Sequence, residues 1–499
     1  MKKYDDIVVG SGISGLTMTL LLAMSGHRVL LLEKGPHIGG SLSRFSKRGV
    51  PFDTGFHFTG GLHERGILSE ILSFLGMRDL IHPLFLRDDA ENQFIFESHG
   101  MRFEHPTGIE NVKNRFKDYF PSETDAIDRY FGKVLSVCER TPSLNLHANI
   151  IAPPNLDEDY VTLDEVLKGL TANALLRGLL SGYAMCYGVR PDEISFANHS
   201  RMCLSFYESV AFVKDGGDAF IEAFQEKFKE YEVDVRCGAV IEELADISDS
   251  KVGRFVLNTG EEVTADSCVL TIHPRDILSL LPSKHYTRAF MNRVSSFEAS
   301  AGFFSVFATL REGTDPYPTG SIVSLFPNED VNKLLDPGYA GQQALVIIKS
   351  PDSVAGATGK GVCILEPSFP EHVSAWSGSR RGKRPQDYLD YKEARVQRIK
   401  DHIFSVFPGY RESLDFIAAG SVLTAKDYLN SPDGSAYGVK QKMGQFNLIG
   451  KLPLHNLYAA GQSSLLPGII GAMMSSLIVG RAVVGKEQFG RLLNNTACH

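Results

Sequence analysis

The chain has 499 residues, of which 43% are hydrophobic and 22% charged, with a formal net charge of −8. That length allows two or three domains with ample core, and the acidic balance excludes a nucleic-acid surface. Seven scattered cysteines (138, 186, 203, 237, 268, 363 and 498) include no CxxC pair and no metal-ligand spacing; free buried thiols in a reducing compartment, and no metal, are expected.

The first strand begins within a few residues of Met1, which leaves no room for a signal peptide, so a cytoplasmic location is expected. Its apolar run Ile7-Val8-Val9 breaks into Gly10-Ser11-Gly12-Ile13-Ser14-Gly15. A helical pattern through Leu16, Leu20, Leu21, Ala23 and Met24 stops at Gly26, and a second run, Val29 to Leu32, ends on Glu33. Strand, glycine turn, helix, strand and acid form the fingerprint of an adenine dinucleotide site. Gly10 permits the turn, Gly12 admits a pyrophosphate, and Gly15 lets the helix pack on the strand. The phosphates then face the start of a helix, where free N–H groups and the helix dipole favour anions, and Glu33 accepts hydrogen bonds from ribose hydroxyls.

Further along, residues 62–80 read as helix and 81–106 as strands of a different sheet. From Asn111 to Met202 the pattern is helical, with a capping box at Thr162-Leu163-Asp164-Glu165. A glycine pair, Gly216-Gly217, precedes an amphipathic helix over Ala219–Tyr231. Strand-like pieces at 233–235, 239–244, 255–257 and 265–271 follow, with a hairpin turn at Asn258-Thr259-Gly260. Four more, within 286–365, alternate with Pro and Gly turns and predict a mostly antiparallel sheet, and Asp387–Phe407 is a long amphipathic helix. Leu452 to Gly480 carries no charge, but Pro467 and several glycines interrupt it, so a buried strand, turn and helix are expected rather than a membrane span.

The run Lys34, Gly39-Gly40-Ser41, Arg44 and Phe52-Asp53-Thr54-Gly55 resembles the extended FAD signature of the amine oxidase and phytoene desaturase superfamily. The resemblance implies an α/β, glutathione-reductase-like FAD-binding Rossmann domain, with a second substrate domain of antiparallel sheet plus helices. It divides the chain into FAD segments at 1–80, 215–285 and 415–499, with substrate segments at 81–214 and 286–414. It places Gly10, Ser11, Gly12, Ser14, Gly15, Glu33, Lys34, Gly39, Gly40, Ser41 and Arg44 on the cofactor. It brings the backbone of Val240 to the adenine, and sets the helix start around Gly468 and Ile470 under the flavin. Where the superfamily usually has Gly-Asp this chain has Gly461-Gln462, an amide without the carboxylate charge.

That departure, with Phe52–His57, Tyr187-Gly188-Val189, Ala419–Thr424, Ala436-Tyr437-Gly438 and Asn456–Gln462, resembles the retinol saturase (all-trans-retinol reductase) and carotenoid isomerase-like family. The resemblance implies non-covalent FAD and a long apolar polyene or isoprenoid substrate that is saturated, desaturated or isomerised. His57 and Tyr437 stand out as candidate catalytic proton groups on loops that it brings to the flavin, while Asp53 is expected to order its own loop. One dinucleotide fingerprint is present and FAD takes it, so electrons come from an unknown donor or acceptor. A lipid substrate must be collected from a bilayer, and the apolar helices between 165 and 190 are the expected peripheral membrane contact. The alternatives are a flavin amine oxidase, and a non-enzymatic prenyl-lipid carrier of the Rab GDP-dissociation inhibitor type; the intact glycines argue against the carrier.

Overall fold

The structure, a computed structural model, describes residues 2–86, 89–146, 155–311, 313–351 and 359–496. Its first sheet has eight strands, and five of them run parallel in the order Leu457–Ala459, Glu262–Leu270, Lys2–Val9, Val29–Glu33, Asp234–Cys237. Val29–Glu33 is buried at every residue, as expected of a parallel strand covered on both faces. From Lys2–Val9 the chain crosses through helix Ile13–Met24 to one side of the sheet, while Glu262–Leu270 and Leu457–Ala459 lie on the other. The order therefore reverses beside the end of the first strand, and ligands of open α/β sheets bind at such a crevice. Ile241–Ala245 and Arg254–Leu257 extend the sheet as an antiparallel meander.

The charge-free stretch near the carboxy terminus resolves into strand Leu457–Ala459 and helix Gly468–Val484, whose residues from Gly471 to Ser476 are all buried. This helix runs four residues past Gly480 rather than ending near it, and Gly480 lies inside, against Leu21 and Met18 of the glycine-turn helix. Ser476 Oγ donates to the Ser14 carbonyl at 2.8 Å and lies 2.6 Å from Ser14 Oγ. The start of the first helix is thus pinned to the middle of the second. No helix among the described residues is long and apolar enough to cross a membrane.

The second sheet has seven strands, ordered Leu414–Gly420, Gly302–Arg311, Gly359–Ser368, Leu345–Lys349, Ile322–Phe326, Asn92–Phe96, Met101–Glu104. All pairs are antiparallel except Ile322–Phe326 with Asn92–Phe96. Alternation along Gly302–Arg311 sends Phe304, Val306, Ala308 and Leu310 to one face, against Ile399 and Ile403 of helix Gln386–Val406. Phe303 and Phe307 face the helical region instead. Because Leu414–Gly420 pairs with Gly302–Arg311, the chain returns to the first sheet after residue 420, later than the expected boundary at 415.

In the helical region the Thr162 capping box forms as read, with Glu165 N donating to Thr162 Oγ1 at 3.1 Å and Thr162 N to Glu165 Oε2 at 2.9 Å. Most of the apolar side chains expected at a bilayer surface there are buried instead. Leu167, Leu176, Leu179, Leu180, Tyr183 and Ala184 are all buried, packed against the second sheet and the neighbouring helices. Their apolarity serves the core.

Candidate cofactor and active site

Gly10 ends the first strand with φ 94°, and its N–H donates to the Leu32 carbonyl at 2.8 Å. Gly15 is tighter, since a Cβ there would stand 1.8 Å from the Gly10 carbonyl oxygen. Gly12 differs in kind: a Cβ on it would meet no protein atom within 4 Å. The space in front of Gly12 is therefore open at the N-cap of helix Ile13–Met24, whose first N–H groups receive no side-chain cap. Gly39 and Gly40, both with positive φ, close the far side, Gly40 lying against Gly12 Cα. Ser41 is exposed, and Thr54 Oγ1 pins its loop by donating to the Ser41 and Ser43 carbonyls. Arg44 pairs with Asp53 at 3.1 Å, so Asp53 orders this loop.

Glu33 is held from two sides. Ser11 N and Oγ donate to Oε2 at 2.9 and 2.5 Å, and Gly35 N donates to Oε1 at 2.6 Å. Ser11 therefore orients the acid. Lys34 is exposed beside it. Val240 follows strand Asp234–Cys237, but both of its backbone polar groups have protein partners. Its N–H donates to Asn258 Oδ1 at 3.1 Å and its carbonyl accepts from Asn258 N at 3.0 Å.

On the opposite side, the Gly461 turn lies against Thr271 and Ser14, and Gly461 N donates to Ser475 Oγ at 3.0 Å. Gln462 is half-buried against Gly438. Helix Gly468–Val484 starts after Pro467, again without a side-chain cap, and Gly468 is exposed with open space before it. The first helix start thus meets the second helix at mid-length, through Ser14 and Ser476, and the Gly461 turn lies beside it, while Glu33 stands at the other side of the glycine turn. This donor set fits a dinucleotide: uncapped N–H groups for the phosphates and a fixed carboxylate for a ribose.

Two loops lie on this side, one against Ile470 of the second helix and the other, through Gly438, against Gln462 and Ser463. The first carries His57, between Phe56, packed on Phe220, and Phe58, packed on Phe206. Four residues beyond His57, Gly61 lies against Ile470. The His57 side chain makes no hydrogen bond among the described residues, and burial pushes its imidazole down to about 4. The second loop carries Tyr437. Its hydroxyl donates to the Met185 carbonyl at 3.2 Å, its ring stands edge-on to Phe303, and burial holds its ionisation well above the ordinary phenol range.

The sequence reading missed a pair at the seam between the two halves. His273 follows the Thr271-Ile272 strand end and Asp433 belongs to the Tyr437 loop; their Nε2 and Oδ2 atoms lie 3.6 Å apart. His273 Nδ1 accepts from Arg275 N at 3.2 Å, which places the ring proton on Nε2, toward the carboxylate. Asp433 Oδ1 accepts from Ser435 N and Oγ and fixes the turn before Tyr437. The His-Pro step after an apolar strand was the one local signal for it.

Residues 8–74 match the pattern of the NAD(P)-binding Rossmann-like domain. The chain is 26% identical to the all-trans-retinol 13,14-reductase of Homo sapiens, covering 99% of this chain and 87% of that one. It is 25% identical to that of Danio rerio, covering 97% and 86%, and 22% identical to the chloroplastic prolycopene isomerase of Daucus carota, covering 99% and 82%. Among solved structures, an oxidoreductase from Methanosarcina mazei matches with a TM-score of 0.66 at 13% identity, covering 96% of this chain and 99% of that one. Putrescine oxidase bound to putrescine matches with a TM-score of 0.64 at 13% identity, covering 96% and 98%; at that identity the likeness is one of fold. The chain thus has the fold of these oxidoreductases and is similar, over nearly its whole length, to all-trans-retinol 13,14-reductases and a prolycopene isomerase.

Proposed function

We propose that the crevice holds FAD and that the protein is an oxidoreductase acting on carbon–carbon double bonds of a long apolar polyene or isoprenoid, by saturation, desaturation or cis–trans isomerisation. One observation carries this reading: the similarity to a reductase and an isomerase of conjugated lipids covers 99% of the chain, substrate half included. The likeness to putrescine oxidase is of fold alone, and fold does not fix chemistry. A prenyl-lipid carrier would have no use for an open pyrophosphate cradle at Gly12.

Bound FAD supplies the hydride chemistry. Gly10, Ser11, Gly12, Ser14 and Gly15, with Gly39, Gly40, Ser41 and Arg44, cradle the pyrophosphate, while Glu33 and Lys34 flank the adenosine ribose. Gly461, Gln462, Gly468 and Ile470 take the flavin end, where the helix N-terminus supports negative charge and Gln462 adds hydrogen bonding without a second charge. A polyene offers no carbonyl to polarise, so the substrate half supplies apolar contact and excludes water.

Of the two proton candidates, His57 is the stronger, because its nitrogens have no protein hydrogen bond among the described residues. Held neutral at pH 7, it can present an N–H or accept a proton, but it is not a resident imidazolium. Tyr437 keeps its proton and spends it on the Met185 carbonyl, so it acts as a wall. The electron donor or acceptor comes from outside the chain.

The test is anaerobic. The flavin is photoreduced and candidate polyenes are added while its spectrum is followed. Stoichiometric reoxidation with loss of a double bond identifies a reductase, and a new geometric isomer without reoxidation an isomerase. A chain that reoxidises with amines and leaves every polyene unchanged would overturn the reading.

A further inference from the structure

A dinucleotide whose phosphates face the Gly12 turn and whose ribose meets Glu33 must carry its base beyond the acid. The first backbone there is Gly238–Val240. Gly238 N donates to the Gly35 carbonyl and Ala239 N to the Glu33 carbonyl, both at 2.9 Å, so the segment runs directly beside the acid. The polar groups that it would offer a base are already in use. The carboxamide of Asn258 bridges the segment, with Oδ1 accepting from Val240 N at 3.1 Å and Nδ2 donating to the Gly238 carbonyl at 2.9 Å. Asn258 opens the hairpin turn closed by Gly260 N donating to the Leu257 carbonyl at 2.8 Å, and it is exposed, so nothing buries its side chain in this position.

A carboxamide sets one N–H donor beside one carbonyl acceptor. The N6/N1 edge of adenine has the same arrangement. We propose that Asn258 is an internal stand-in for adenine: its carboxamide satisfies Val240 N–H and the Gly238 carbonyl until the base of FAD takes over the Val240 amide and Asn258 turns out to solvent. The inference rests on the reading that the crevice holds FAD. It also accounts for a disagreement, since the residue expected to read adenine through its backbone has its amide engaged by a side chain. Asn258 is thus a competitor of the cofactor at one end only, and it sets how readily FAD is exchanged.

The experiment titrates the cofactor-free full chain with FAD and, separately, with FMN, which lacks the adenosine, and follows flavin fluorescence. Wild type, Asn258→Ala and Asn258→Ser are compared, and thermal melting of each cofactor-free protein verifies that it is folded. Removing two exposed hydrogen bonds that FAD must break predicts about three- to tenfold tighter FAD binding in both variants, with FMN binding unchanged. FAD affinity equal to or weaker than wild type in the folded variants would overturn the role of Asn258 and leave the FAD reading standing. Failure of wild type and variants alike to bind FAD would overturn both.

Discussion

The half built on the first sheet and the helical region use polar groups in opposite ways. In the first, backbone is left open: two helix starts have no side-chain cap and a glycine turn has open space before it. In the second, side chains close on one another. His199 is fully buried, with Nε2 2.7 Å from Tyr130 Oη and Nδ1 2.9 Å from Tyr187 Oη, and Tyr130 Oη lies 2.9 Å from Tyr207 Oη. A histidine between two tyrosine hydroxyls has no valence left for a substrate. The difference separates a polar group kept for a ligand from one that holds a core together.

The widest separation is expected between two glycines three residues apart. Gly15→Ala forces a Cβ onto the Gly10 carbonyl and should cost about 3 kcal/mol or more in urea unfolding, with loss of flavin. Gly12→Ala adds its methyl to open space at an ordinary φ of −64°, so the melting temperature of the cofactor-free protein should hold while FAD affinity falls at least about tenfold. If Gly12→Ala binds FAD like wild type, the pyrophosphate does not sit there.

Next in size is His199→Phe, which strands the buried Tyr187 hydroxyl and leaves Tyr130 only its Tyr207 partner; it should lower stability by about 1–3 kcal/mol while leaving FAD affinity within about twofold. A large loss of affinity without loss of stability would move this cluster into the active site.

A pH series sharpens the same contrast. Burial pushes His105 to about 4 and His199 to about 3, below the ordinary histidine value. As pH falls below about 6.5 the unfolded chain takes up protons that the folded chain refuses, so stability drops from there toward pH 4 by up to about 1.4 kcal/mol per pH unit for each histidine. His27, raised by its hydrogen bond to Asp6, works in the opposite direction, with its contribution complete below the ordinary value. The net slope should be downward, and it should be shallower in His199→Phe. An unchanged slope would contradict the buried neutral state.

Smallest is Tyr437→Phe. A residue that only walls the site should lose about 1 kcal/mol of stability and less than about tenfold in turnover. A loss of about a hundredfold or more would make its hydroxyl a proton donor.

How much was legible in the sequence follows the same division. The glycine turn, Glu33 and the Thr162 capping box are local patterns, and each forms where the spacing put it; the charge-free stretch is mostly buried, though its helix runs past Gly480. What was not legible depends on partners distant in the chain. Leu414–Gly420 belongs to the second sheet because of Gly302–Arg311, and His273 meets Asp433 across 160 positions. Apolarity between 165 and 190 signalled burial without saying against what, and a core and a lipid surface are written in the same residues. Asn258 reads as an ordinary turn residue until the hairpin brings it to Val240.

The most direct measurement is the spectrum and stoichiometry of the cofactor released by denaturing the purified full chain after reconstitution with FAD. A single glycine-turn helix start with a fixed acid beside it predicts one FAD per chain, with little retained by Gly12→Ala. A folded, colourless protein that retains no flavin would contradict it.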